Sequence, residues 1–186
     1  MTIQDWAALA SAPQRAFGTQ ISVRARPIAA LGGHVDHMFD VFDDGQNQLI
    51  ARGGPSEENG RYFSDLNRVI AEVTPEASSR DRGAPYRTIA NRFLPGVSAE
   101  QAAAGARAHA LGVDHLGNRY GLNYNSNGFA ADVAEPMFGY RPGDKRTWGY
   151  DHPLFDGDSP PITRGTIFTG PLNPDDLTPI IRTPPY

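Results

Sequence analysis

A hydroxyl stands between two carboxamides in the run Asn125-Ser126-Asn127-Gly128-Phe129. Phe129, Val133 and Met137 then recur at helical spacing, so the run is expected to open a helix. A helix start offers free N–H groups and partial positive charge, which suit an activated nucleophile and a developing oxyanion. Serine needs a base to take its proton, and histidine is the usual base near neutral pH. The candidate is His37, in Asp36-His37-Met38-Phe39-Asp40-Val41-Phe42, which reads as a strand. Alternation sets His37, Phe39 and Val41 on one face, a core-like face with a histidine at its end. On this reading Ser126 attacks a carbonyl and His37 serves as base and then acid. Asn125, with Asn123 nearby, helps the Ser126 N–H hold the oxyanion. The competing role for Asn125, Ser126 and Asn127 is that of a helix N-cap, which all three residue types fill well.

The remaining polar residues give weaker signals. His34 precedes His37 by three residues, with Asp36 and Asp40 close by, a set that invites a divalent metal. On a strand that spacing turns the two rings to opposite faces, which argues against joint ligation unless His34 lies in a loop. No metal or other cofactor is called for. His109 falls on the Ala102/Ala106 face of an alanine-rich helix, a structural position. His115 and His152 adjoin Asp114 and Asp151 in loop-like sequence, with no constellation around them. Gly32-Gly33 and Gly53-Gly54 neither open a helix nor precede Lys-Ser/Thr, so they read as turns and not as phosphate loops. Asp43/Asp44 and Asp175/Asp176 fit a turn and a helix start.

The elements that must position Ser126 and His37 follow from pattern. Ile21–Arg26 alternates as a half-buried strand, and the His37 strand meets an Asp44-Gly45 turn. Gln48–Arg52 returns as its partner, closed by Gly53-Gly54-Pro55. With Asp44 and Gly45 as the two loop residues, His37 stands opposite Arg52. Val69–Val73 and Tyr86–Phe93 are further strands. Ser98-Ala99-Glu100-Gln101 is a capping box, and the helix it opens is expected to end at Gly112. Pro136 is expected to end the Ser126 helix. The predicted fold is α+β, a mostly antiparallel sheet of four to six strands with helices packed on it. Residues 1–150 form the domain, which begins with a short helix or arm, up to about Phe17, around Trp6, Leu9 and Ala10. Half of the sixteen prolines fall after Asp151, so 151–186 is expected to be an extended tail, with one helical turn near Asn173-Pro174.

Composition bounds the function. A chain of 186 residues, 39% hydrophobic, can bury a core without covalent staples. The net charge of −4 gives no general attraction to nucleic acid or to an anionic membrane. The absence of cysteine excludes disulfides and thiolate catalysis. No stretch is long and apolar enough to span a bilayer, and the N-terminus has no Sec-type signal pattern. The expected location is the cytoplasm, or outside the cell by a route without a cleavable signal.

A histidine strand, its partner strand and a later helix opened by the nucleophile form an order similar to the circularly permuted papain-like superfamily. That group includes lecithin retinol acyltransferase-like enzymes, permuted cell-wall-amidase relatives and desumoylating-type isopeptidases. Its nucleophile motif often reads Asn-Cys-x-x-Phe; Asn125-Ser126-Asn127-Gly128-Phe129 resembles it with serine at the cysteine position. The Asp-His-x-Phe strand, the Asp-Gly turn and the Arg-Gly-Gly-Pro close look like its histidine half. The resemblance spans roughly residues 20–140. It implies a bacterial amidase-, peptidase- or acyltransferase-like hydrolase, acting on a peptide, peptidoglycan or acyl substrate and serving as a secreted effector. Serine in place of cysteine also fits a silent domain that binds a protein partner or builds an assembly. Gln48 and Asn91 are the candidates for orienting His37; Arg52 cannot accept its proton.

Overall fold

The computed structural model describes residues 17–56, 68–117, 119–121 and 125–154. Five strands form one antiparallel sheet: β1 (Gly18–Pro27), β2 (Asp36–Asp43), β3 (Gln48–Pro55), β4 (Val69–Pro75) and β5 (Arg87–Pro95). Their spatial order is β4-β3-β2-β1-β5, so the histidine strand is central. Two helices follow, α1 (Ala99–Leu116) and α2 (Ser126–Phe138). The α+β class and the antiparallel sheet are as the periodicity predicts. The N-terminal arm, Asn123, the Asn173-Pro174 turn and nearly all of the proline-rich tail lie outside the described residues. Residues 151–154 pack on the domain: Leu154 is buried in the core, and its N–H donates to Asp132 at 2.9 Å.

Both helices cover one face of the sheet. Ile21, Phe42, Leu49, Ala51 and Val69 of the sheet meet Ala103, Ala106, Ala110 and Val113 of α1 and Phe129 and Val133 of α2. A second cluster joins Val23, Ala25, Met38 and Ala90 to Ala130 and Ala134. The alanines let α2 lie close to the sheet, and full burial of Phe129 stabilises it by roughly 2–3 kcal/mol. On the opposite face Phe39, Val41 and Ile50 form a small cluster of their own. Tyr86, after the loop of residues 76–85, meets Phe39 edge-on at 6.5 Å.

Three boundaries differ from expectation. The hairpin apex is Gly45-Gln46, with the Asp44 N–H donating to the Asn47 carbonyl at 3.2 Å and Gly45 at φ 85°. The register therefore pairs Asp43 with Gln48 and Asp40 with Ala51, and the ladder stops there, so Arg52 does not stand opposite His37. Asp44 is occupied instead as an acceptor. N–H groups of Ala99, Asn47 and Gln46 lower its carboxyl pKa to about 2 and tie the turn to the start of α1. Helix α1 runs past Gly112 to a left-handed Gly117, because burial of Val113 outweighs the ~1 kcal/mol cost of a helical glycine. Helix α2 likewise passes Pro136 and ends at left-handed Gly139. A proline in the last turn forfeits one hydrogen bond, and Met137 and Phe138 still pack on the core. His115 consequently lies in the last turn of α1, not in a loop.

Candidate functional site

Beyond Asp40–Ala51 the two central strands part. β3 continues along β4, with Gly53 beside Ala71, while β2 continues along β1, with His37 beside Arg26. Asn127 occupies the gap. Its Oδ1 accepts the Met38 N–H at 2.7 Å, and its Nδ2 donates to the Asp36 carbonyl at 2.9 Å. One carboxamide thus takes the place of a β3 peptide and grips the backbone on both sides of His37. Nδ2 also donates to the Trp148 carbonyl at 3.0 Å, an acceptor shared with Asn125 Nδ2 at 3.1 Å.

The rest of the motif follows from this close approach. Asn125 is the N-cap, its Oδ1 accepting from the N–H groups of Asn127 and Gly128. Its side chain is committed to the helix start and to the Trp148 loop, so any part in holding an oxyanion falls to backbone N–H groups. A Cβ on Gly128 would come within 2.9 Å of the His152 carbonyl. A Cβ on Gly53 would lie 3.1 Å from Ser126 Cα and 3.0 Å from Phe129 Cβ. Glycine at 53 is therefore not a turn residue: it lets the first turn of α2 settle against β3. Ser126 sits at this junction, 2% exposed, with its hydroxyl 3.4 Å from Asn127 Oδ1. That is the oxygen that receives the Met38 N–H, so one side chain separates the serine hydroxyl from the backbone next to His37. No hydrogen bond joins Ser126 to His37: the imidazole leaves β2 with Phe39 and Val41 on the face away from α2, so the structure does not bring the two predicted catalytic side chains together.

His37 is held from the other side. Its Nε2 lies 3.1 Å from Asp81 Oδ2, and its ring stacks on Phe39 at 6.0 Å. Among the described residues Nδ1 has no hydrogen-bond partner. Asp81, its side chain fully buried, also accepts from Arg52 Nε at 2.8 Å and Arg26 Nε at 2.5 Å. Burial alone would raise the Asp81 pKa. The His37 hydrogen bond, the nearby positive charge and the Arg26 bond prevail and hold it well below the carboxylate range. His37 itself is lowered from 6.5: burial disfavours its cation, Asp81 partly restores it, and the charges of Arg52 and Arg26 oppose it. The imidazole is accordingly neutral near pH 7, with Nε2 engaged and Nδ1 open.

Asp81 is the residue that sequence reasoning misses. It lies in a loop between two arginines, 44 residues from His37, with no motif around it. The two candidates for its role are elsewhere: Gln48 donates to Asp43 at 3.1 Å, and Asn91 is exposed on β5. His109 is buried against Phe129 and lies 3.3 Å from Asp132, a structural setting. His34 is exposed in the loop before β2, and Asp36 is paired with Arg87 and Arg146. Among the described residues no group of three or more His, Asp or Glu side chains is placed to hold a metal ion. Beside the Trp148 loop lies an open cavity of about 320 Å³, whose walls include Asp144, Trp148, Tyr150 and His152. Among the described residues no helix is long and apolar enough to cross a membrane. No family model, curated protein or solved structure matches this chain.

Proposed function

We propose that the chain is a serine hydrolase of amide or ester bonds in which Ser126 is the nucleophile, His37 the base and Asp81 the group that orients it. The observation that carries this reading is the division of labour on His37: Asp81 holds Nε2, and among the described residues nothing hydrogen-bonds to Nδ1. A buried carboxylate that fixes the ring and its tautomer leaves the opposite nitrogen to take the serine proton. Asp81 Oδ2 accepts an Nε2–H, which makes Nδ1 the basic atom. Ser126 meets the helix-facing side of the sheet and the His37 ring the other, so as Ser126 Oγ attacks the carbonyl carbon its proton passes to His37 Nδ1 through the gap between β2 and β3 that Asn127 occupies. The tetrahedral oxyanion draws on the Ser126 N–H at the positive end of α2, since the Asn125 carboxamide already serves Asn127 and Gly128. His37 then returns the proton to the leaving amine or alcohol, and water releases the acyl group by the reverse sequence. The permuted papain-like resemblance supports a peptide, peptidoglycan or acyl substrate, and the secreted-effector role belongs to the same proposal.

A second reading has one observation in its favour. The Ser126 hydroxyl is nearly sealed and bonds to Asn127 instead of His37, as expected of a silent domain that keeps its helix start only to lock α2 onto the sheet. A fluorophosphonate probe followed by peptide mass spectrometry separates the two. The hydrolase reading expects modification of Ser126 in the native chain and its loss in His37→Ala. An unmodified Ser126, in a protein whose other serines label only at the background rate, supports the silent domain.

A further inference from the structure

Arg24 differs from the other cations on the His37 face of the sheet. Arg26 and Arg52 are both engaged by Asp81, and Arg52 also by Glu72. Among the described residues Arg24 has no ion pair or hydrogen bond: its guanidinium lies 4.1 Å from the centre of the Tyr86 ring, and its Nε is sealed from solvent with no acceptor. The side chain as a whole is half-buried, and its terminal nitrogens are not among the sealed atoms. A cation stripped of solvent at one end gains more than usual from an anion at the other. A guanidinium seated over a ring keeps its terminal nitrogens for hydrogen bonds, and such a fork suits a carboxylate or phosphate.

The position links this charge to the candidate site. Arg24 pairs across the β1–β2 ladder with Phe39, and Arg26 with His37. Phe39 is in ring contact with both His37 and Tyr86. Arg24, Tyr86, Phe39 and His37 are therefore contiguous on one sheet face, with Arg24 one row of alternating residues away from the histidine.

We propose that Arg24, seated on Tyr86, is an anchor for a carboxylate or phosphate group on the molecule presented to His37. The substrate is then an anionic amide or ester whose charge lies a few bonds from the scissile carbonyl. This inference rests on the hydrolase reading for the word substrate, but the anion site itself can be tested without turnover.

Acetate, inorganic phosphate and chloride are titrated separately into the full chain at matched ionic strength, following the Arg24 Nε–H and His37 ring resonances by NMR. The proposal expects saturable shifts at both residues with acetate or phosphate and none with chloride. Preference for one oxyanion identifies which group the substrate carries. Arg24→Gln should weaken the fitted affinity by about tenfold, the worth of one charge-assisted pair. Arg24→Lys, which keeps the charge without the fork, should fall between, and the retained β-sheet spectrum of either variant reports folding. A linear response, or the same response to chloride, overturns the site. Absence of Ser126 labelling combined with saturable oxyanion binding would end the hydrolase reading and leave Arg24 as the contact of a binding domain.

Discussion

His37 meets Asp81 through Nε2, at 3.1 Å from a carboxylate oxygen that also receives Arg52 Nε at 2.8 Å. This arrangement fixes the ring from one side and commits Nδ1 to chemistry. Asp81→Asn keeps the size of the side chain but removes the charge that stabilises an imidazolium and allows the wrong tautomer. The labelling rate at Ser126 should drop on the order of 10²-fold or more, with the fold retained by circular dichroism. An unchanged rate would mean that Asp81 serves only to pair the arginines.

The lowered pKa of His37 sets the pH profile. Burial, with Arg52 and Arg26 in opposition to Asp81, keeps the base form populated below pH 6.5. Ser126 labelling should rise with pH along an acid limb whose midpoint lies below 6.5. In Arg52→Gln the loss of a nearby positive charge should move that midpoint upward. The profile of labelling rate against pH in the two proteins measures both.

Asn127 is the clamp between helix and sheet. Asn127→Leu would leave the Met38 N–H and the Asp36 carbonyl without their partner, at ~1–3 kcal/mol for each buried group. Urea denaturation should show a loss of about 3 kcal/mol, with the Met38 amide losing much of its protection from hydrogen exchange. A change below about 1 kcal/mol would show that the gap between β2 and β3 closes without it.

Asp40 carries a different proton linkage. Alternation places it with Met38 and Phe42 on the helix-facing side of β2, and both of its oxygens are buried without a hydrogen bond. Burial raises its pKa well above 3.8. An acid raised on folding contributes its full stability below the unfolded value and loses it as pH climbs to the folded value. The stability of the native chain should therefore fall with rising pH above 3.8, at up to ~1.4 kcal/mol per unit from this one group. Asp40→Asn should flatten that slope and melt higher than the native chain at pH 8. Asp81, lowered on folding, acts in the opposite sense, and its contribution is lost as pH falls below 3.8.

The sequence makes the five strands legible because Ile21–Arg26 and its counterparts alternate, and a period of two survives any tertiary context. The start of α2 is equally legible, since Asn125 caps and Phe129 and Val133 repeat at helical spacing. The ends of α1 and α2 are not, because burial of Val113 and packing of Phe138 outweigh the local effects of Gly112 and Pro136. Register is not legible: Asp44-Gly45 reads as the loop by its local turn chemistry, but Asp44 is held as an acceptor for the Ala99 N–H and the apex falls at Gly45-Gln46. Asp81 was invisible for a further reason: a loop carboxylate has no periodicity, and only the folded chain brings it to His37. Gly53 reads as a turn in sequence because nothing local reveals that Ser126 Cα will come to rest beside it.

The most direct measurement converts the hydroxyl into a reporter of its surroundings. In Ser126→Cys a thiol at the start of α2 should ionise more readily than a free thiol if the proposed path to His37 is assembled. Alkylation by iodoacetamide should be faster than for a model thiol at pH 7, and slowed by His37→Ala and by Asp81→Asn. Ordinary or slower alkylation, indifferent to both substitutions, would contradict an assembled Ser126–His37–Asp81 site.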